Sequence, residues 1–162
     1  LSKYLNLSET LNLPRVVSVQ NPYSLVNRTY EVGMAEISIR DQAGLLAYSP
    51  LGFGVLSGKY LNNQMPEGSR LKLYGSSFPR YQGTRTSRAV EEYFLIAKKH
   101  NLSLTQMSLA FVNERPFLTS NIIGATNLNQ LEENIDSINI SLSDDVLKAI
   151  NEVHSAIPNP AP

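Results

Sequence analysis

Three short apolar runs, Val16 to Gln20, Leu45 to Ser49 and Asn121 to Ala125, are rich in β-branched or aliphatic residues, and each is followed by turn-forming residues. They are too short for helices and predict buried strands. Amphipathic segments with helical spacing lie between and after them, most clearly Ser87 to His100, Leu104 to Arg115, Asn127 to Ile138 and Ser143 to His154. In the third of these, Leu128, Leu131, Ile135 and Ile138 recur at steps of three, four and three, which lines an apolar stripe along one helix face. Capping chemistry agrees. Ser103 and Gln106 have capping-box spacing, Asp144 and Asp145 follow Ser143 in a first turn, Lys98, Lys99 and His100 close a last turn, and Pro116 stops the helix before it. Strands alternating with helices predict an α/β fold with a parallel sheet.

The interval between the second and third strands is long because of an insertion, Phe53 to Arg88, rich in Gly, Ser, Tyr and Pro. It carries Lys59, Arg70, Lys72, Arg80, Arg85 and Arg88 against Glu67 alone, a local excess of about +5 that should attract anions. On charge alone, a solvated loop balanced by acidic neighbours is an equal alternative. The chain as a whole has 162 residues with 14 Lys+Arg and 14 Asp+Glu, and it is 42% hydrophobic. That composition fits one globular domain and excludes both a disordered chain and a basic nucleic-acid binder. With no cysteine, disulfide scaffolds, cysteine-ligated metals and thiol nucleophiles are excluded. No run reaches the length of a membrane span, and the first residues lack the layout of a signal peptide, so a cytoplasmic protein is the default expectation. The first residue is Leu, inside a helical pattern, and a piece of a longer chain is expected. The closing Pro158-Asn159-Pro160-Ala161-Pro162 reads as an extended tail, 155–162.

Ligands of parallel α/β folds bind at the carboxyl ends of the strands. Here those ends are Gln20-Asn21-Pro22-Tyr23, Tyr48-Ser49-Pro50-Leu51-Gly52 and Gly124-Ala125-Thr126-Asn127. An aromatic ring with an amide and a hydroxyl suits a planar heterocycle. Spacing by itself favours the plainer reading, in which Tyr48 is a core aromatic and Gln20 a satisfied buried amide. The Gly124-to-Asn127 turn opens a helix whose free N–H groups suit a phosphate, with Thr126 adding a hydroxyl or serving only as an N-cap. The glycines from Gly52 to Gly58 miss G-x-G-x-x-G by one residue, and no P-loop, H-E-x-x-H or G-x-S-x-G is present. His100 and His154, the only histidines, read as surface residues rather than catalytic ones.

Val17 to Arg28 (VSVQNPYSLVNR), Leu45 to Leu61 (LLAYSPLGFGVLSGKYL) and Ile123 to Ile135 (IGATNLNQLEENI) together resemble the C-terminal half of an aldo-keto reductase. The resemblance covers nearly the whole chain. It implies part of a (β/α)8 TIM barrel, roughly strands six to eight with their helices, with 53–88 as a long basic loop on the cofactor side. It also implies NADP(H) bound in extended form without a Rossmann domain. By the same resemblance, Gln20 matches the amide that contacts the nicotinamide carboxamide, and Tyr48 the aromatic that stacks on the nicotinamide. Ser49, Pro50, Leu51 and Gly52 match the loop along the pyrophosphate, and Lys59 a basic residue near it. Arg70 resembles an arginine aimed at the 2′-phosphate, while Gly124, Thr126, Gln130, Glu133 and Asn134 match the turn and helix that hold the 2′-phosphate and adenine. Gln130 stands where many relatives carry a basic residue, which shifts the choice of NADP over NAD onto Arg70.

The family's catalytic Asp, Tyr, Lys and His belong to strands without counterpart here, so no catalytic residue and no metal ligand is assigned. The implied parent reduces an aldehyde or ketone with NADPH. The alternatives are a non-catalytic NADP-binding regulatory module or an inactive truncated fragment. Three strands cannot close a barrel, and Val17, Val19, Leu46 and Ile122 or Ile123 are expected to lose inward packing partners. The expected partner is therefore the missing N-terminal half or a second copy, with no nucleic acid and no membrane.

Overall fold

The computed structural model describes residues 1–162. Strands β1 (Ser18–Pro22), β2 (Gly44–Tyr48) and β3 (Leu118–Asn121) form one parallel sheet in the order β1-β2-β3. Seven helices accompany them: α1 (Ser2–Thr10), α2 (Met34–Asp41), α3 (Arg70–Tyr74), α4 (Thr84–Lys99), α5 (Leu104–Asn113), α6 (Leu128–Asp136) and α7 (Asp144–Ala156). Short 3-10 turns fill the insertion. Sheet, helices and alternation follow the hydrophobic pattern, and the sheet is an open arc with β1 and β3 at its edges.

The third strand lies earlier than its apolar residues suggest. Ile122 N–H still donates to the Ala47 carbonyl at 2.8 Å, but β2 leaves the sheet at Ser49, whose φ is 54°. Beyond that point Ile123 to Ala125 have no ladder partner, so the apolar pair marks the exit from the strand rather than its middle. The helix caps are formed as expected at Ser103, which accepts from Gln106 N at 3.0 Å, and at Ser143, which accepts from Val146 N at 3.4 Å. For α6 the cap is Asn127, not Thr126: Asn127 Oδ1 accepts from Gln130 N at 2.9 Å.

Register decides which side chains enter the core. Val19 is level with Leu45, and Gln20 with Leu46, while Pro22 is level with Tyr48. Alternation therefore puts Val19, Leu45, Ala47 and Leu118 against the helices, where Leu45 and Ala47 are fully buried beside Tyr93, Met107 and Phe111. This corrects the expectation that Val19 lies with the unpartnered inward residues. The opposite face carries Gln20, Leu46, Tyr48 and Ser120, and it stays partly or wholly accessible. Val17 and Ile122 are exposed, as are Leu128, Leu131 and Ile135 on α6 and Ile138 in the 3-10 turn after it, so the expected helix over Asn127 to Ile138 ends short of the last residue of its stripe.

A polar cluster ties β1 to α7. The Arg28 guanidinium forks onto both Glu31 oxygens, each at 2.8 Å, and reaches Asn151 Oδ1 at 2.8 Å, while the Tyr23 hydroxyl also donates to Glu31. His154, at the end of α7, is half-buried with Nδ1 sealed from solvent and unpartnered, so it is not the surface residue its position suggested. The C-terminal tail is held down: Asn159 Oδ1 accepts from Arg28 N at 2.7 Å and Ala161 N donates to the Val26 carbonyl at 3.0 Å.

Candidate functional site

A groove of about 920 Å³ crosses the carboxyl ends of β2 and β3. Its walls come from the loop after β2, the insertion around α3, the junction of α4 and α5, and the segment from Ile122 into α6. This is where parallel α/β folds place ligands. Another depression, about 830 Å³, is a surface trough along α7 alone, away from every strand end.

Tyr48 lines the groove at the end of β2 and is half-buried, while Gln20 is exposed. The reading of Tyr48 as core and Gln20 as a buried amide is therefore overturned. Gln20 shares the open sheet face with Tyr48 but stands one pleat below it, because Pro22 is the residue level with Tyr48, and it does not line the groove. Ser49, Pro50 and Leu51 continue the wall. Gly52 is buried behind it with φ of 53°, where an added Cβ would meet Val26 Cγ2 at 2.9 Å. Ser49, Gly52, Phe53 and Gly54 all have positive φ, a strained turn that the insertion holds by stacking Phe78 and Tyr81 around the Phe53 ring, at 4.4 and 5.5 Å between centroids.

The charge of the insertion divides. Lys72 pairs with Glu67 at 3.4 Å, Arg80 lies over the Tyr81 ring and Arg85 reaches the Pro158 carbonyl. Only Lys59 and Arg70 of the six cations line the groove, and neither forms an ion pair. Lys59 Nζ lies 3.3 Å from the Cβ position of Gly54, and the Arg70 guanidinium sits between the Phe53 ring, 5.6 Å away, and Gly124, whose Cβ would stand 3.8 Å from Nη2. Arg70 thus reaches from the insertion to the turn after β3, across the groove. Lys98, at the end of α4, adds a third cation that the sequence pattern did not single out.

At the far end, Gln130 Oε1 accepts from both the N–H and the hydroxyl of Thr126, each at 3.0 Å. The Thr126 donors are therefore engaged within the turn, and the donors left at this point are those of the Gln130 amide nitrogen. Asn134 is buried and gives its Nδ2 to the Gly124 carbonyl at 3.3 Å, which fixes the turn against α6. Glu133 lines the groove and accepts from the Ser103 hydroxyl at 2.5 Å. Of the thirteen residues read from the sequence, all but Gln20 and Gly52 come together here.

Ser69, Lys98 and Ser103 were missed. Ser69 Oγ is buried in the groove wall with no hydrogen-bond partner, an orphaned hydroxyl that an external acceptor would satisfy. It stands beside Arg70 in the sequence, and that adjacency was the available signal. Ser103 reaches the site because α5 packs on α6, and Lys98 because α4 packs on α5, tertiary contacts with no periodic trace.

The Tyr23 phenol does not line the groove. Burial, and then the charge and hydrogen bond of Glu31, push the Tyr23 phenol well above its ordinary range and keep it protonated behind the sheet. No cluster of three or more His, Asp or Glu is placed to hold a metal.

Residues 3–155 match the model of the aldo/keto reductase family. Protein tas of Escherichia coli (strain K12) is 51% identical over 160 residues, covering 99% of this chain and 46% of that protein. An aldo-keto reductase of Babesia bovis is 35% identical over 159 residues, covering 94% of this chain and 56% of that protein. L-glyceraldehyde 3-phosphate reductase of Escherichia coli O157:H7 is 28% identical over 156 residues, 93% of this chain and 44% of that protein. The chain spans about half the length of the curated relatives it matches. With the family match extending from α1 to α7 and the groove at the strand ends inside it, this chain belongs to the aldo/keto reductase family.

Proposed function

We propose that these residues form the NADP(H)-holding half of an aldo/keto reductase, whose full-length form transfers hydride between NADPH and an aldehyde or ketone. Their strands take the places of the sixth to eighth of the family's barrel. The observation that carries the reading is the groove itself: an aromatic face at one end, unpaired Lys59 and Arg70 along it, and an orphaned Ser69 hydroxyl in its wall. Those features fit a dinucleotide, which needs a platform for a flat ring and positive potential for its phosphates.

When bound, NADPH supplies the hydride. The residues of this chain orient it. Tyr48 offers its ring face and Gln20, on the same side of the sheet, an amide for the carboxamide. Ser49, Pro50, Leu51 and Gly52 shape the strained turn beside the pyrophosphate, with Lys59 and Ser69 as its donors. Arg70 and the Gln130 amide address the 2′-phosphate, and Glu133 and Asn134 the adenine, with Gly124 and Thr126 forming the turn between. Because Gln130 is uncharged, Arg70 carries the preference for NADP over NAD. The proton for the carbonyl oxygen comes from outside these residues, in the preceding half of the barrel. The protein acts in the cytoplasm, and no helix is long and apolar enough to cross a membrane.

A non-catalytic NADP-binding module, or an inactive fragment, is the second reading, favoured because the family's catalytic Asp, Tyr, Lys and His have no counterpart among these residues. Tyr48→Ala tests the first. In the full-length protein it should weaken NADPH binding and slow hydride transfer, measured by fluorescence titration and single-turnover kinetics with a generic aldehyde. Unchanged binding and rate would remove Tyr48 from the site. Tight binding by the wild type without turnover would select the regulatory module.

A further inference from the structure

Ser103 is separated from Glu133 by 30 positions, yet its hydroxyl meets the Glu133 carboxylate at 2.5 Å in the wall of the groove. The same oxygen accepts from Gln106 N at 3.0 Å as the N-cap of α5. One hydroxyl has one proton. Because its oxygen is fixed from one side by a backbone N–H, that proton is directed to Glu133 Oε1. The support is rigid, since eight of the ten residues of α5 are buried.

Glu133 is held only there. Its other carboxylate oxygen accepts no hydrogen bond within the chain, and the residue forms no ion pair although Arg70 and Lys98 line the same groove. An ionised carboxylate accepts hydrogen bonds and cannot give them, and it repels phosphate. The free oxygen of Glu133 therefore marks the point in a cationic groove where a neutral donor is wanted.

We infer that Ser103 is a positioning residue that sets base specificity: by clamping one oxygen of Glu133 it aims the other at a ring amine of the bound nucleotide. The inference rests on the dinucleotide reading of the groove and adds the residue that gives its base end directional selectivity. A base with an amine at this position is accepted, and one with a carbonyl there meets acceptor against acceptor. A site built to receive such a hydrogen bond discriminates strongly against the analogue that lacks the donor.

The test compares NADPH with its hypoxanthine analogue, in which the adenine amine is replaced by oxygen, in titrations of the full-length protein. Wild type should prefer NADPH. Ser103→Ala removes both hydrogen bonds, and Ser103→Asp keeps an acceptor for the α5 cap while removing the donor to Glu133. Both variants should lose roughly three- to tenfold of the preference between the two nucleotides, the order of one directed hydrogen bond, and Ser103→Thr should retain it. A purely structural role would weaken both nucleotides alike and leave the ratio unmoved. An unchanged ratio in Ser103→Asp alongside normal NADPH binding would overturn this inference alone. No saturable NADPH binding by the wild type would overturn the cofactor reading and this inference with it.

Discussion

Removing the exposed apolar stripe from α6 and the turn after it should weaken association of the 162-residue chain without destabilising its fold. Leu128 is 81% exposed, Leu131 38%, Ile135 55% and Ile138 67%, although their spacing is that of a buried helix face. Full burial of a Leu or Ile side chain is worth about 1.5–3 kcal/mol. Scaled by the exposed fractions, covering the stripe would contribute about 4–7 kcal/mol. Leu128 and Ile138 hold the larger share, about 2–4 kcal/mol, so Leu128→Ser with Ile138→Ser should raise the dissociation constant of whatever covers this face by roughly 30- to 1,000-fold. Association itself costs several kcal/mol. The stripe alone would therefore not make a tight complex, and a partner would also have to cover the open edges of β1 and β3. Sedimentation velocity across a dilution series reads the self-association, and urea unfolding reads the stability, which should move by no more than about 0.5 kcal/mol because both sites face solvent in the chain's own fold. An unchanged association constant, or a loss of more than about 1 kcal/mol in unfolding free energy, would refute the reasoning.

Stability should also fall on acidification in two limbs. Burial, and then the charge of Arg28, favour neutral His154 against the opposing pull of Glu31, so its folded value lies below the ordinary 6.5. Its contribution is complete above about pH 6.5 and is lost as pH falls through the folded value. For Glu31, burial raises the carboxyl, but the hydrogen bonds from Arg28 and Tyr23 with the Arg28 charge outweigh it and leave it depressed. Its contribution is present above the ordinary 4.5 and is lost lower still. Urea midpoints from pH 8 to about pH 2 should show both limbs, and His154→Gln should erase the first only; greater stability at pH 5 than at pH 7 would contradict the assignment. Gly52→Ala should cost about 2–4 kcal/mol in urea unfolding, combining a left-handed φ of 53° with a 2.9 Å approach to buried Val26. A loss below about 0.5 kcal/mol would mean that the turn relaxes freely.

The sequence announced α4 to α7 and, within about two residues, the first two strands because their periodicity and caps are local properties, whereas α3 lies in the segment read as a loop. Ser103, Ser143 and the α6 stripe needed only residues three or four positions away. The third strand was misplaced because β3 is a polar edge, Leu118-Thr119-Ser120-Asn121, whose extent is set by where β2 stops pairing. Val19 was put on the wrong face for a related reason: register, which no single strand encodes, pairs it with Leu45. In the site, the Tyr48 loop, Arg70 and the α6 turn were legible as motifs. The engagement of Thr126 with Gln130, the orphaned Ser69 hydroxyl and the Ser103–Glu133 bond were not, since each depends on which hydrogen bonds folding leaves unmet. The basic insertion was legible only in sum. Lys72 is taken up by Glu67, Arg80 by the Tyr81 ring and Arg85 by the tail, and of the six cations only Lys59 and Arg70 line the groove.

The central claim, that these residues hold NADP(H) as one half of a reductase barrel, is tested most directly by native mass spectrometry of the purified protein with NADP+ added. One spectrum reports chain mass, association and bound dinucleotide. The account predicts one dinucleotide for each 18.0 kDa chain, carried by a species in which that chain is joined to a further barrel half or to a second copy. A monodisperse 18.0 kDa monomer, or a homo-oligomer of such chains that takes up no dinucleotide, would contradict it.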